Sequence, residues 1–429
     1  MAENRGKPHA IMISVPYQGH INPFVNLALK IASKGFSVTF VHFEFVHHRL
    51  SKAHHCNKTQ VDIFSEARES GLDIRYTTIS DGFPLEFNRD ANYDEFWGKV
   101  LREFPARVDE FVRKTIESDP YLLHFLVADT VFSWPATVAE KYNLVNVSLW
   151  TEPALVFSLA YHLDLLRENG HFPCKDNIHE EVNYVPGVKS ISTRDLISVM
   201  RESEQRNSYT MLESLFLAFE QVRKADFLLH NTVHELEAKT LSVLNKYQPN
   251  YAIGPINFFK NLPTYTVSKS LWSESDCTEW LESKPPGSVL YVSFGSFVHT
   301  SRQEIEEIAY GLLLSEVHFI WVVREGILSS GDTNTMPDGY EDEVKDKGKL
   351  VVDDWKCGIC DGTSVDRKDV AEKIKSFMSG AASKRFRQEA NKVKTILHHA
   401  LEVDGSSEKN FDQFIKDLTE KIHSKTSIY

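Results

Sequence analysis

His20 follows an apolar run, Ala10-Ile-Met-Ile-Ser-Val15, by a tight Pro16-Tyr-Gln-Gly-His20 loop and opens the helical pattern after it. In an open parallel sheet, ligands bind beyond the carboxyl ends of the strands, so a polar residue just after a strand is well placed for chemistry. The amides and partial positive charge of a helix start are expected to disfavour imidazole protonation and keep His20 neutral and basic. Taken alone, a capping or core histidine explains it as well. Asp129 ends a second run, Phe125-Leu-Val-Ala-Asp129. Its carboxylate could hold the other imidazole N–H, fix the tautomer and stabilise the cation formed on proton abstraction. A lone aspartate there is more often a loop or helix-cap residue. The pair says more than either member.

Ser293-Phe-Gly-Ser296 follows a strand of the second half and offers amides and a hydroxyl at a helix approach, a pattern suited to a diphosphate. Glycine and serine are also the commonest turn formers. Cys357-Gly-Ile-Cys360 has redox or zinc spacing, yet no second pair and no thioredoxin-like strand accompany it, so two incidental cysteines are the simpler reading. His47-His48, His54-His55 and His398-His399 are adjacent pairs whose members point apart on any regular element, and no metal site is expected.

The elements around these residues read as α/β. The opening is a βαβ unit: the first strand, a helix from Ile21 to Ser33 with Pro23 in its first turn and Gly35 after its end, then Phe36 to Val41. Leu122 to Val127, Val145 to Leu149 and Phe227 to Leu229 are further buried-strand candidates separated by helical patterns. A largely parallel sheet follows. Residues 1–255 form a first α/β domain, and the turn-rich stretch 256–275 a linker. In 276–429 Ser288 to Phe294 and His318 to Val323 are strands around a helix from Gln303 to Leu314. Val370 to Met378, Ala381 to Val403 and Asn410 to His423 are helices with no strong strand among them, so this half has a thin sheet.

Of the 429 residues, 42% are hydrophobic and 25% charged, which fits a globular chain of two or three domains. The net charge of -12 repels polyanions and argues against nucleic acid as a partner. The N-terminus lacks a cleavable apolar core, and no run is long enough to span a bilayer. Five cysteines, odd in number and mostly scattered, fit a reduced cytosol better than a disulfide framework. A cytoplasmic monomer without membrane insertion is expected.

Val15-Pro-Tyr-Gln-Gly-His-Ile-Asn-Pro23, Val127-Ala-Asp129, Leu149-Trp-Thr151, Ile253-Gly-Pro255, Asp276-Cys-Thr-Glu-Trp-Leu281 and Gly287 to Ser296 together resemble the plant family 1 UDP-dependent glycosyltransferases of small molecules. The likeness continues through Phe319 to Arg324, Met336 to Tyr340 and Ser406 to Asn410. It implies a GT-B fold of two Rossmann-like domains facing across a cleft, the acceptor held mainly by the first and the sugar nucleotide by the second. By resemblance, His20 is the general base for an acceptor hydroxyl and Asp129 its orienting partner. Thr151 lies near the donor sugar and Ser296 meets the diphosphate. The reaction implied transfers a hexose, taken as glucose, from UDP-sugar to a hydroxyl of a hydrophobic small molecule. It inverts the anomeric centre and uses no metal or cofactor, UDP-sugar being a co-substrate. Variable loops, here Phe83 to Trp97 and Lys189 to Met211, would shape the acceptor pocket.

In one respect the chain departs from the family. Relatives carry a signature running from a Trp-Cys/Ala-Pro-Gln segment through Thr-His-Cys-Gly-Trp-Asn-Ser to an Asp-Gln pair, and nothing here matches it. An internal deletion with a junction near Gly348 to Leu350 is expected to truncate the second domain. It would remove contacts to uracil, diphosphate and sugar and leave a sheet edge exposed. The alternative reading is therefore a catalytically inactive splice or gene-model variant that retains only acceptor binding.

Overall fold

A computed structural model describes residues 6–53, 62–89, 92–172, 179–197, 200, 209–256, 276–295, 300–323, 328, 336–337, 339–344, 348–351 and 365–426. Two compact units emerge, one of 1–48, 60–269 and 396–429, the other of 49–59 and 270–395.

In the first unit, β1 (Pro8–Ile13), β2 (Ser37–Phe43), β3 (Ile74–Ile79), β4 (Leu123–Asp129) and β5 (Val145–Trp150) are followed by a two-strand hairpin, β6 (Glu181–Val182) and β7 (Ile191–Ser192). β8 (Phe227–His230) and β9 (Asn250–Ala252) complete a seven-stranded parallel sheet ordered β3-β2-β1-β4-β5-β8-β9. Every residue of β2 and β5 is buried, because strands of a parallel sheet are covered on both faces and read as continuous apolar runs. The chain runs outward from β1 through β2 to β3 on one side and from β4 onward on the other. The strand order therefore reverses between β1 and β4, which pair with Ile13 opposite Ala128. Such a reversal opens a crevice at the carboxyl ends of the two strands.

The first helix spans Gln18–Ser33, three residues longer at its start than the apolar pattern indicates. Pro23 thus falls in the second turn, not the first, and its missing N–H removes the helical hydrogen bond to the Gly19 carbonyl. Ile21, Phe24, Leu27, Ala28 and Ile31 are buried on this helix.

In the second unit, β10 (Val289–Ser293), β11 (His318–Val322) and β12 (Gly348–Val351) form a parallel sheet in that order. The helix Arg302–Ser315 lays Ile305, Ala309 and Leu312 against Phe319 and Trp321 on one face. On the other, Ile320 and Val322 meet Cys277, Trp280 and Val289. The sheet has one strand more than the two expected, since Gly348-Lys-Leu-Val351 is too short to stand out in the sequence. Among the described residues nothing pairs with the outer edge of β10, no residue of which is fully buried.

The three expected C-terminal helices are Arg367–Met378, Gly380–Ala400 and Ser406–Thr426. Residues 396–429, which sequence order places with the second half, group with the first unit. The helix Ser406–Thr426 buries Phe411, Phe414, Leu418 and Ile422. Its Glu408 and Asp412 pair with Lys30 of the first helix and Lys34 at that helix's end, each at 2.6 Å. Ser407 donates to the Gly254 carbonyl. Gly254 itself packs so closely that a Cβ would come within 2.5 Å of the Asn231 carbonyl carbon, which only glycine permits.

Candidate active site

The crevice at the β1/β4 reversal holds both residues singled out by their positions after strands. His20 is the third residue of the helix following β1, and Asp129 is the last residue of β4. His20 Nδ1 lies 2.8 Å from Asp129 Oδ2. The aspartate is 1% exposed, whereas the histidine side chain keeps 18% of its surface open. Backbone N–H groups of Val15 and Val131, each at 3.3 Å, donate to the Asp129 carboxylate and hold it in place. With the carboxylate accepting at Nδ1, that nitrogen carries the proton and Nε2 presents its lone pair.

The electrostatics differ from the sequence-based expectation. Burial works against protonation of His20, but the charge of Asp129 and its hydrogen bond, with a smaller contribution from the exposed Glu152, raise the imidazole pKa above its ordinary value. A helix start was expected to lower it. A full carboxylate charge at hydrogen-bond distance in a buried site outweighs the roughly half charge of a helix terminus. His20 is consequently a stronger base, with more of it protonated near neutrality.

Thr151, just beyond β5, places Oγ1 3.2 Å from His20 Nδ1, so three consecutive strand ends along the sheet, β1, β4 and β5, supply one cluster. Glu152 was not anticipated, although the same strand-end logic applies to the residue after Thr151. Trp97, at the end of a stretch expected as a pocket-shaping loop but placed by the structure in the helix Tyr93–Arg102, donates its indole N–H to the Tyr17 hydroxyl at 3.1 Å. Their rings stack with centroids 6.1 Å apart. Tyr17 is the residue before the first turn that carries His20, so this aromatic pair braces the start of that helix.

Ser296 lies outside the described residues, as do Cys357 and Cys360. The nearby Gly295 has φ of 69°, a left-handed conformation natural to glycine, and donates to Ser293 Oγ at 3.3 Å. The helix beyond this loop is capped by its own residues. Ser301 Oγ accepts from Glu304 N–H at 3.2 Å, while the Glu304 carboxylate accepts from Ser301 N–H at 2.8 Å. This capping box satisfies two donors at the helix start and places a carboxylate in its first turn.

No family model matches the chain. It is 42% identical to UDP-glycosyltransferase 86A1 of Arabidopsis thaliana, over 98% of this chain and 96% of that protein. UDP-glycosyltransferase 86A2 of the same plant is 41% identical, over 96% of this chain and 95% of its own. The fold is similar to that of Phytolacca americana UGT2, solved with UDP-2-fluoro-glucose and pterostilbene. The TM-score is 0.70 at 18% identity, covering 96% of this chain and all of that one. With close relatives matched across nearly its whole length, the chain belongs to the plant UDP-glycosyltransferase family.

Proposed function

We propose that the chain descends from enzymes that transfer a hexose, taken as glucose, from a UDP-sugar to a hydroxyl of a hydrophobic small molecule, and that it keeps their proton-abstracting apparatus. The His20–Asp129 contact carries this reading. His20 Nε2 would accept the acceptor's O–H proton as that oxygen bonds to the anomeric carbon. The bond from that carbon to the diphosphate would break on the opposite face, its electron pair leaving with UDP and the configuration inverting. Asp129 would stabilise the imidazolium. Thr151 would lie beside the reacting groups and Ser296 would meet the diphosphate. The UDP-2-fluoro-glucose and pterostilbene held by the Phytolacca americana protein support glucose and a flat apolar acceptor. No metal is invoked in this scheme.

A second reading is favoured by one specific observation. The alignment with UDP-glycosyltransferase 86A1 extends over 476 positions, 47 more than the 429 residues of this chain, so at least that many positions have no counterpart here. Together with the missing signature motif, this supports an internal deletion near Gly348 to Leu350 in the donor-binding half. Electrostatic support for a departing diphosphate is usually a large part of the barrier reduction, so its loss would leave an acceptor binder without turnover.

Calorimetric titration of the full-length protein with UDP and UDP-glucose, beside a melting curve on the same sample, separates the two. Saturable binding followed by product formation supports the transferase. A cooperative melt with no heat and no ligand-induced stabilisation would leave the acceptor-only variant.

A further inference from the structure

The second unit carries a surface unrelated to the crevice. The helix Gly380–Ala400 follows Arg367–Met378 directly. Its 3.6-residue period sets Phe386, Ala390 and Val393 on one stripe, the arrangement of a helix face meant to be covered. Yet Phe386 is 49% and Val393 41% exposed, and Ala390 is exposed as well. Phe377, at the end of the preceding helix, is 50% exposed, and its ring lies 5.4 Å from that of Phe386. The same period borders the stripe with Arg387 and Lys394 on one side and Arg385 and Lys392 on the other. Residues 380–395 hold five basic side chains and one acidic one, Glu389, in a chain of net charge -12. Glu389 sits 2.8 Å from Lys392, an exposed pair that water and salt screen. Arg387 also donates to the Gly287 carbonyl at 2.8 Å.

We propose that this face docks on an anionic lipid surface, the Phe377 and Phe386 rings entering the headgroup boundary and the basic borders meeting lipid phosphates. An apolar stripe edged by Lys and Arg on both sides is the pattern of an interfacial helix. A second copy of the chain is the poorer occupant, since a two-fold contact through this face would bring like-charged borders together. Two exposed turns bury little apolar area, so the contact depends on charge and is reversible and salt-sensitive. No helix among the described residues is long and apolar enough to cross a membrane, and the docking proposed is peripheral.

The test is cosedimentation of the full-length protein with phosphatidylcholine vesicles, with and without phosphatidylserine at about 30 mol%. Binding is expected to the anionic vesicles only, falling at least about fivefold between about 0.1 M and about 0.5 M salt. Phe377→Ser with Phe386→Ser, and separately Arg385→Gln with Lys392→Gln, should each reduce it by at least about fivefold. Lys224→Glu, on the first unit, should not. The glutamine pair alters only exposed ends of side chains, so it remains informative should the serine pair lower the melting temperature. Absence of binding to anionic vesicles, equal binding to neutral ones, or full binding by the glutamine pair would overturn the proposal. So would a concentration-dependent dimer that the serine pair dissolves, which would assign the face to a second copy.

Discussion

Tyr251 donates its hydroxyl proton to Asp417 at 2.6 Å, across 166 residues of sequence, and so ties the last helix to the edge strand of the first sheet. The tie is backed by packing. Phe414 is fully buried, with its ring 5.8 Å from Phe227 and 5.6 Å from Tyr251. β9 has three residues and among the described residues pairs only with β8, so this helix is a large part of what packs on that end of the sheet.

Phe414→Ala should therefore destabilise the first unit by about 3–5 kcal/mol, the usual cost of deleting a buried ring. Denaturant unfolding monitored by the first unit's tryptophans measures it. Tyr251→Phe removes one hydrogen bond and keeps the ring, so it should cost about 1 kcal/mol. Equal losses in the two variants would mean that the ring packing contributes little.

Asp129→Asn keeps the size of the side chain and deletes its charge. The main upward influences on His20 vanish while burial remains, so the imidazole pKa should fall, as an NMR titration of the free protein would read. In any active form the rate rises with pH as His20 loses its proton, and the acid limb should move to lower pH in the variant. The amide can also donate to Nδ1 and leave Nε2 protonated, so turnover should fall by about 10²- to 10⁴-fold. An unchanged His20 pKa would remove Asp129 from this role.

The His20–Asp129 pairing was legible because β1 and β4 each run into the site through a buried apolar stretch, Ala10 to Ile13 before the loop to His20 and Phe125 to Ala128 before Asp129, the last residue of β4. The direction of the histidine's pKa was not, because helix start and carboxylate pull oppositely and only the 2.8 Å separation decides between them. β3, Ile74-Arg-Tyr-Thr-Thr-Ile79, escaped notice because an edge strand buries only its ends here and carries polar residues between them. Asn250-Tyr-Ala252 and Gly348-Lys-Leu-Val351 are too short to show a period. The return of the last helix to the first unit rests on pairs such as Lys30–Glu408, 378 residues apart, for which no local pattern exists.

Acid should weaken the first unit through two buried histidines. Burial, with His124 and Arg75 adding to it, lowers His9 to about 3, and burial with His47 lowers His42 to about 3, both from 6.5. The unfolded chain takes up these protons below about 6.5 and the folded one does not until about 3, so stability is lost as pH falls through that window. Each histidine contributes a slope of up to about 1.4 kcal/mol per pH unit. Unfolding midpoints at pH 7, 6 and 5 should fall steadily, and His42→Asn should flatten the slope whatever its effect at pH 7. An unaltered slope in that variant would show that His42 titrates alike in both states.

Gly311 sets the spacing of two helices in the second unit. A Cβ there would lie 2.5 Å from Val370 Cγ1, and the Arg367 carbonyl stands 3.1 Å away. The approach is reinforced by Arg367, whose backbone N–H donates to the Glu307 carboxylate at 2.8 Å and whose guanidinium bonds it as well. Gly311→Ala gains helix propensity but must push the helices apart, and overpacking of this kind costs about 1–3 kcal/mol. Val370→Ala opens the space the new methyl needs. The double variant should therefore be more stable than the sum of the two single changes predicts, by at least about 0.5 kcal/mol in a double-mutant cycle. Strict additivity would mean that the helix pair yields freely at this contact, and that its spacing is set by the Glu307–Arg367 pair and not by the glycine.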